Sequence, residues 1–202
     1  MYNIGDKVVY PMHGAGSIVS IEEKEVMGKK QSYYILEMPG EVRVMVPTET
    51  AEEHGIRDVI GKNEADKVIS ILEQDETEME KNWNKRYREN MDKIKSGNIY
   101  EIADVVRNLS FKQKEKGLST GEKKMLNNAK QILVSELVLA EHASQEEVEQ
   151  LVENKINTSY KMFRADDVEP QSVVNKFIPF DGTGTEEEIL WSDSHLAIVL
   201  LF

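Results

Sequence analysis

The stretch Lys116-Gly117-Leu118-Ser119-Thr120-Gly121-Glu122 decides the fold of the second half of this 202-residue chain. Gly117 is placed where the end of a helix favours a residue in the left-handed conformation. Ser119 with Glu122 three places later forms a capping box, in which the serine oxygen accepts a free backbone N–H and the glutamate reaches back. One helix therefore ends and another begins within this stretch.

The same pattern recurs on both sides of it. A capping residue with glutamate three places on is found at Thr77, Asn98 and Ser144, and Gly97 marks a further helix end. Helices are predicted near residues 64–74, 77–96, 98–115, 119–141 and 144–156. Two of them carry apolar residues at helical spacing, which predicts that they pack together in an all-α domain over 64–156; these faces are Ile99, Ile102, Val106 and Leu109, and Met125, Ala129, Ile132, Leu133, Leu137 and Ala140.

Residues 1–60 have the pattern of a small β domain. Short runs of β-forming residues at 7–10, 17–21, 33–38 and 42–46 are separated by Gly28, by Pro39-Gly40 and by other turn residues. Gly14 and Gly16 lie before a strand and not before a helix, so they indicate a tight turn or bulge, not a dinucleotide loop. The prediction is an SH3- or Tudor-like barrel that acts as a binding module.

The fold class is therefore α+β with two domains, 1–60 and 64–156, followed by an extension of unknown structure over 157–202. The extension has no dominant period. It contains the turn-forming run Asp181–Thr185 and ends in the apolar run Leu196–Phe202. That run is interpreted as a buried strand, as an appendage that needs a partner, or as an addition from a fusion.

Composition excludes several classes of protein. There is no cysteine, so disulfides and thiolate metal sites are excluded. The four histidines lack paired spacing, and no Walker or Gly-x-Ser-x-Gly motif is present. We therefore expect no enzyme activity, no metal and no cofactor. The N-terminus does not resemble a signal peptide and no apolar run is long enough to span a bilayer, which predicts a cytoplasmic protein without membrane contact.

Charge is distributed unevenly along the chain. The formal net charge is -12, but residues 81–130 carry 13 Lys+Arg against 6 Asp+Glu, a local charge of +7. The acidic flanks on both sides account for the rest. Such a pattern predicts an anionic partner for the middle of the chain only. A solvated, charged helix face is the alternative interpretation.

A tryptophan lies within this basic middle, in the run Asn82-Trp83-Asn84-Lys85-Arg86-Tyr87-Arg88. Met79, Trp83, Tyr87, Met91 and Ile94 recur at helical spacing, and such a stripe is usually buried. A flat apolar ring beside cations also suits unstacked nucleic acid. On an ideal helix Lys85 and Arg88 lie about 140–200° from Trp83, and only Arg86 flanks it. Trp83 can share a groove with the other cations if it sits at a helix start, for which Asn82 is a good cap.

Several segments together resemble the CarD family of bacterial transcription factors. In the β half these are Asp6–Pro11, His13-Gly14, Tyr33–Leu36 and Val46-Pro47. In the helical half they are Asn82-Trp83, Arg86-Tyr87, Ser96-Gly97, Ala103–Leu109, Lys116–Leu126 and Ala129–Leu137. The resemblance covers about residues 1–156 in the expected order and does not extend to 157–202.

The resemblance implies that the β domain docks on the β subunit of RNA polymerase. Lys24 matches a basic contact position of the family, Met45 occupies another in place of a cation, and Arg43 is the candidate substitute. The resemblance further implies that Trp83 wedges into the minor groove of promoter DNA at the upstream edge of the open bubble. Its basic neighbourhood corresponds here to Lys85, Arg86 and Arg88, and Lys112 and Lys123 match other basic positions of the family near DNA.

From these matches we expect a monomeric, nucleoid-associated regulator that stabilises the promoter open complex. Trp83 and Arg86 are the wedge candidates, whereas Lys85 and Arg88 are expected to contact the DNA backbone or remain solvated. The alternative function is a protein-interaction module whose basic helices bind an acidic protein instead of DNA.

Overall fold

In the part of the chain that the structure describes, five strands precede five helices, which confirms the predicted α+β class. The computed structural model describes residues 1–26, 28–40 and 42–164, so the predictions for Asp181–Thr185 and Leu196–Phe202 lie outside the described residues. The strands are β1 (Lys7–Tyr10), β2 (Gly14–Val26), β3 (Lys29–Met38), β4 (Val42–Pro47) and β5 (Arg57–Asp58), and the helices are α1 (Lys62–Leu72), α2 (Trp83–Lys95), α3 (Ile99–Glu115), α4 (Thr120–Glu141) and α5 (Gln145–Arg164).

The strands form one antiparallel sheet in the order β4-β3-β2-β1-β5. β2 and β3 are longer than the sequence predicted because their pairing continues outward to Val26 and Lys29, beyond the apolar segments. Alternate residues face a common core, as the period of a half-buried strand requires. This core consists of Val8, Ile18, Tyr34, Leu36, Met38, Val46, Ala51 and Ile56.

The helices enclose a second, larger core. The predicted apolar face of α3 is fully buried, and so is that of α4 except Ala140, which is partly buried. Ser119 caps α4 with the predicted capping box to Glu122, and Asn98 caps α3 by accepting the N–H of Tyr100. No described helix combines the length and the hydropathy that a bilayer-spanning segment requires.

The prediction of a helix over 77–96 is wrong at its beginning, because α2 starts only at Trp83. Thr77 does not cap a helix. Its backbone N–H donates to Asn108 Oδ1 at 3.1 Å and its hydroxyl bonds to the Asp104 carboxylate at 3.2 Å. Arg86 then binds the carbonyl oxygens of Glu80 (2.7 Å) and Lys81 (3.2 Å). These tertiary hydrogen bonds compete with helical ones and keep the segment before α2 non-helical.

The last helix is longer than predicted, since α5 continues past residue 156 to Arg164. Tyr160 packs edge-on against Phe111, with ring centroids 5.2 Å apart. Arg164 then donates to three carboxylates, those of Asp75, Glu76 and Glu115. This convergence explains why the helix persists beyond its apolar repeat.

The sheet packs closely against α4 at the start of β2. Gly14 has a φ of +94°, and a Cβ atom added there would lie 2.4 Å from Ser135 Oγ. The next backbone N–H, of Ala15, donates to the same Oγ at 2.8 Å. Gly14 is therefore required both for its backbone conformation and for the close approach of sheet and helix.

We predict that Gly14→Ala lowers the free energy of unfolding by about 2 to 5 kcal/mol, the sum of left-handed strain and overpacking. The matched control is Gly5→Ala, because Gly5 has a φ of +95° but nothing within 4 Å of an added Cβ. The free energy of unfolding of Gly5→Ala should fall by only about 1 to 2 kcal/mol, from backbone strain alone. Urea unfolding of both variants measures the difference, and equal losses would contradict the packing role.

Candidate nucleic-acid interface and docking face

Trp83 is the first residue of α2 and is 43% exposed. The Asn82 side chain caps the helix by accepting the N–H of Lys85 at 3.1 Å. The indole stacks on the ring of Tyr87, with centroids 5.3 Å apart and planes inclined by 28°. Its Nε1–H donates to Ser119 Oγ at 3.1 Å. Trp83 therefore lies at a helix start with its ring exposed, which is the arrangement in which it can share a groove with the neighbouring cations.

Ser119 connects this tryptophan to a buried carboxylate. Its Oγ accepts from Trp83 and from the backbone N–H of Glu122 (3.2 Å), and donates to Glu122 Oε2 (2.9 Å). Glu122 is only 2% exposed. The capping box that begins α4 thus also holds the orientation of the indole.

Arg86 is the main partner of Glu122. Its Nε and Nη2 donate to Glu122 Oε1 at 2.9 and 2.8 Å, and the residue is 8% exposed. This burial is at odds with the groove contact that the sequence predicted for Arg86, because DNA could reach the guanidinium only by breaking the ion pair. The helical wheel placed Arg86 beside Trp83 correctly, but this side of the helix faces α4. Arg86 is connected to Trp83 indirectly, through Glu122 and Ser119.

Lys112 joins the same network. Its Nζ lies 3.3 Å from Glu122 Oε2 and 3.3 Å from the Gly117 carbonyl oxygen, and its side chain is 20% exposed. Burial by itself raises the pKa of Glu122, but hydrogen bonds from Ser119 and Arg86 and the charge of Lys112 outweigh it and lower the pKa to about 2. Glu122 is therefore ionised over the whole physiological range.

The remaining predicted cations lie at the surface. Lys85 pairs with Glu80 and Glu89, and Arg88 donates only to the Asn84 carbonyl oxygen, at 3.3 Å, among the described residues. Lys123 is exposed in the first turn of α4. That turn also contains Gly121, whose backbone lies beside the Trp83 ring. An exposed aromatic ring and exposed cations therefore occur together at the starts of α2 and α4.

The residues predicted for docking share one face of the sheet. In the strand register Ile35 pairs with Met45, Glu37 pairs with Arg43, and Lys24 pairs with Gln31, which lies four residues before Ile35 on β3. Side chains two residues apart point to the same face. We call Lys24, Arg43 and Met45 the docking face. Met45 is 47% exposed, and the two cations pair loosely with Glu22 (3.1 Å) and Glu37 (3.7 Å).

Sequence reasoning missed the parts played by Tyr87, Ser119 and Glu122. Ser119 and Glu122 were identified as a capping box, and Tyr87 as part of an apolar stripe. The contact between Trp83 and Ser119 spans 36 residues. No local pattern signals such a contact.

We predict that Glu122→Gln destabilises the protein at pH 7 by about 3 to 5 kcal/mol, because it leaves Arg86 buried without a counter-charge. A depressed pKa contributes stability that is present above the unfolded value, near 4.5, and is lost as pH falls towards about 2. The wild-type protein should therefore lose more stability between pH 5 and pH 2.5 than this variant. Urea unfolding across that range measures both effects.

The matched control for this prediction is Glu147→Gln. Glu147 forms the same capping box with Ser144 at the start of α5, but it is exposed and its hydrogen bonds connect only to Ser144 among the described residues. The free energy of unfolding that Glu147→Gln loses at pH 7 should be much smaller. Equal losses would show that the cap, not the buried ion pair, stabilises the start of α4.

Comparison with known proteins matches the β half and the helical half of the chain to related families. Residues 2–60 match the family described as CarD-like/TRCF RID domain, and residues 67–153 match CarD, C-terminal domain. A Bacillus subtilis (strain 168) protein named "Putative transcription factor YdeB" is 42% identical over 149 residues, which cover 73% of this chain and 97% of that protein. The chain belongs to the CarD family.

Proposed function

We propose that this protein is a transcription regulator that docks on the β subunit of RNA polymerase and stabilises the promoter open complex. Trp83 enters the minor groove at the upstream edge of the bubble. The observation that carries the proposal is the exposed, pre-oriented indole of Trp83 at the start of α2. Membership of the CarD family and the name of the relative support the assignment to transcription.

The geometry of Trp83 suits a wedge. An inserted side chain must hold its ring in place while one edge remains free. Ser119 fixes the indole nitrogen and Tyr87 backs one face of the ring, so little rotamer freedom is lost on insertion. Lys123, Lys85 and Arg88 are the surface cations available for nearby phosphates. Arg86 and Lys112 act instead by holding Glu122, which holds Ser119.

Differential affinity is the physical basis of the effect. A ligand shifts an equilibrium only as far as it prefers one state, and a wedge that fits a distorted groove prefers the open promoter. Aromatic–base stacking contributes on the order of 1 to 3 kcal/mol. At about 1.4 kcal/mol per decade, this favours the open form by roughly five- to a hundredfold.

Docking on polymerase removes the need for strong DNA binding. The net charge of -12 opposes association with free DNA, although residues 81–130 are locally positive. Attachment through the docking face raises the local concentration of Trp83 near the promoter. β4 is also an edge strand of the sheet. Its outer backbone groups are therefore placed to pair with a strand of the partner.

We predict that Trp83→Ala shortens the lifetime of the open complex by about tenfold, the loss of one stacked ring, while polymerase binding remains intact. Trp83→Phe should retain part of the effect, because it keeps a flat ring but loses the bond to Ser119. The control is Met162→Ala, which removes another exposed apolar side chain, 69% exposed on α5. A folded Trp83→Ala variant with an unchanged lifetime would contradict the wedge.

We predict that Lys24→Glu weakens binding to an isolated polymerase β fragment by about tenfold, since it reverses a charge on the docking face. The matched control is Lys30→Glu. Lys30 lies on the same hairpin and is exposed, but the strand register places it on the opposite face from Gln31, the partner of Lys24. Titration by calorimetry measures both affinities, and equal weakening by the two variants would count against this face.

An acidic protein partner for the basic helices is the competing function. Salt-dependent binding to forked promoter DNA in the presence of polymerase separates the two functions. DNA binding that requires polymerase and falls with salt supports the regulator. Binding to an acidic protein without any effect on promoter opening would favour the alternative.

A further inference from the structure

Arg57 of β5 makes the most extensive polar contact between the sheet and the helices that the structure describes. Its Nη1 and Nη2 donate to the two carboxylate oxygens of Glu136 at 2.6 and 2.8 Å. Its Nη2 and Nε also donate to the Gly97 carbonyl oxygen at 2.9 and 3.3 Å. Glu136 is fully buried and accepts in addition from the Ile60 backbone N–H at 3.2 Å. One side chain of the sheet is therefore bonded both to α4 and to the turn between α2 and α3.

The helices α2 and α4 are the ones that build the Trp83 site. Gly97 follows the C-terminus of α2, whose first residue is Trp83. Glu136 lies on α4, whose first turn contains Glu122. With a rise of about 1.5 Å per residue, the distance along α2 from Trp83 to Gly97 is about 20 Å, and so is the distance along α4 from Glu122 to Glu136. Arg57 thus holds the far ends of two rigid helices whose near ends hold the indole.

Close packing at the same place restricts movement around Arg57. A Cβ atom added at Gly97, which has a φ of +70°, would lie 3.3 Å from Pro11 Cγ, and one added at Gly55 would lie 3.0 Å from the same atom. Pro11, which directly follows β1, therefore fits against the chain just after α2. The contact of Ala15 with Ser135 adds a second attachment on α4, one residue before Glu136.

We propose that Arg57 is a positioning residue that fixes the angle between the docking face and Trp83. Polymerase docking then delivers the indole to one place on the promoter. The proposal rests on the proposed function, because it explains how attachment at the sheet and insertion at α2 act together. Arg57 touches neither partner. A flexible connection would keep both contacts but would lose the gain in local concentration at the correct orientation.

The test measures the angle and the function separately in the full chain. Because the protein has no cysteine, Glu25→Cys on β2 and Glu146→Cys on α5 provide unique sites for two nitroxide labels, and both residues are exposed. Pulsed electron spin resonance then gives the distribution of distances between them. Binding to the β fragment and open-complex lifetime are measured on the unlabelled proteins.

Two variants separate positioning from loss of folding. Arg57→Ala leaves the Glu136 carboxylate buried and unpaired, which threatens the fold. The double variant Arg57→Met with Glu136→Gln removes both charges, and the amide oxygen still accepts from Ile60. Lys62→Ala is the control, since Lys62 pairs with Glu141 at 3.8 Å and is well exposed.

In the double variant we expect a broadened distance distribution and binding to the β fragment within about twofold of wild type. Open-complex lifetime should fall by about fivefold or more, the lower end of typical coupling between sites. An unchanged distribution, or a broadened one with full lifetime, would overturn the proposal. If the wild-type chain has no effect on lifetime, the proposed function fails and the delivery role with it. The label distances still decide whether Arg57 fixes the angle.

Discussion

The ion pair between Glu122 and Arg86 is the interaction on which the rest of the candidate site depends. Glu122 is ionised and buried, so it must be compensated, and Arg86 is the only described cation that bonds to it with two nitrogens. Because Arg86 also binds the carbonyl oxygens of Glu80 and Lys81, it stops α2 from starting earlier. Trp83 consequently becomes the first helical residue and is left exposed.

A second buried carboxylate, Glu136, performs a comparable task at the other end of α4. A buried pair contributes little net stability compared with apolar packing, but removing one partner is costly. The geometric consequence of both pairs is that each ties two elements together. Glu122 fixes the indole with respect to α4, and Glu136 fixes α4 with respect to the sheet. Through Arg57 and Arg86, one helix connects the two faces that we propose for polymerase and for DNA.

Local rules predicted much of this protein because its signals are local. The capping box at Ser119, the glycines at 97 and 117 and the apolar faces of α3 and α4 each depend on residues within a few places of one another, and the structure confirms them. The failures have a common cause. Thr77 matched a capping box but is held by Asn108, and Arg86 looked like a surface cation but is held by Glu122, partners more than thirty residues away.

The sequence by itself determined the α+β class, the order of strands and helices and the basic middle of the chain, since composition and spacing act over short distances. It also placed Trp83 beside a good helix cap. Only the tertiary structure decided which cations remain at the surface, because Arg86 and Lys112 are withdrawn by a carboxylate on another helix. It likewise decided that Arg57 bonds both to α4 and to the turn that follows α2, an arrangement that arises only when the sheet packs against them.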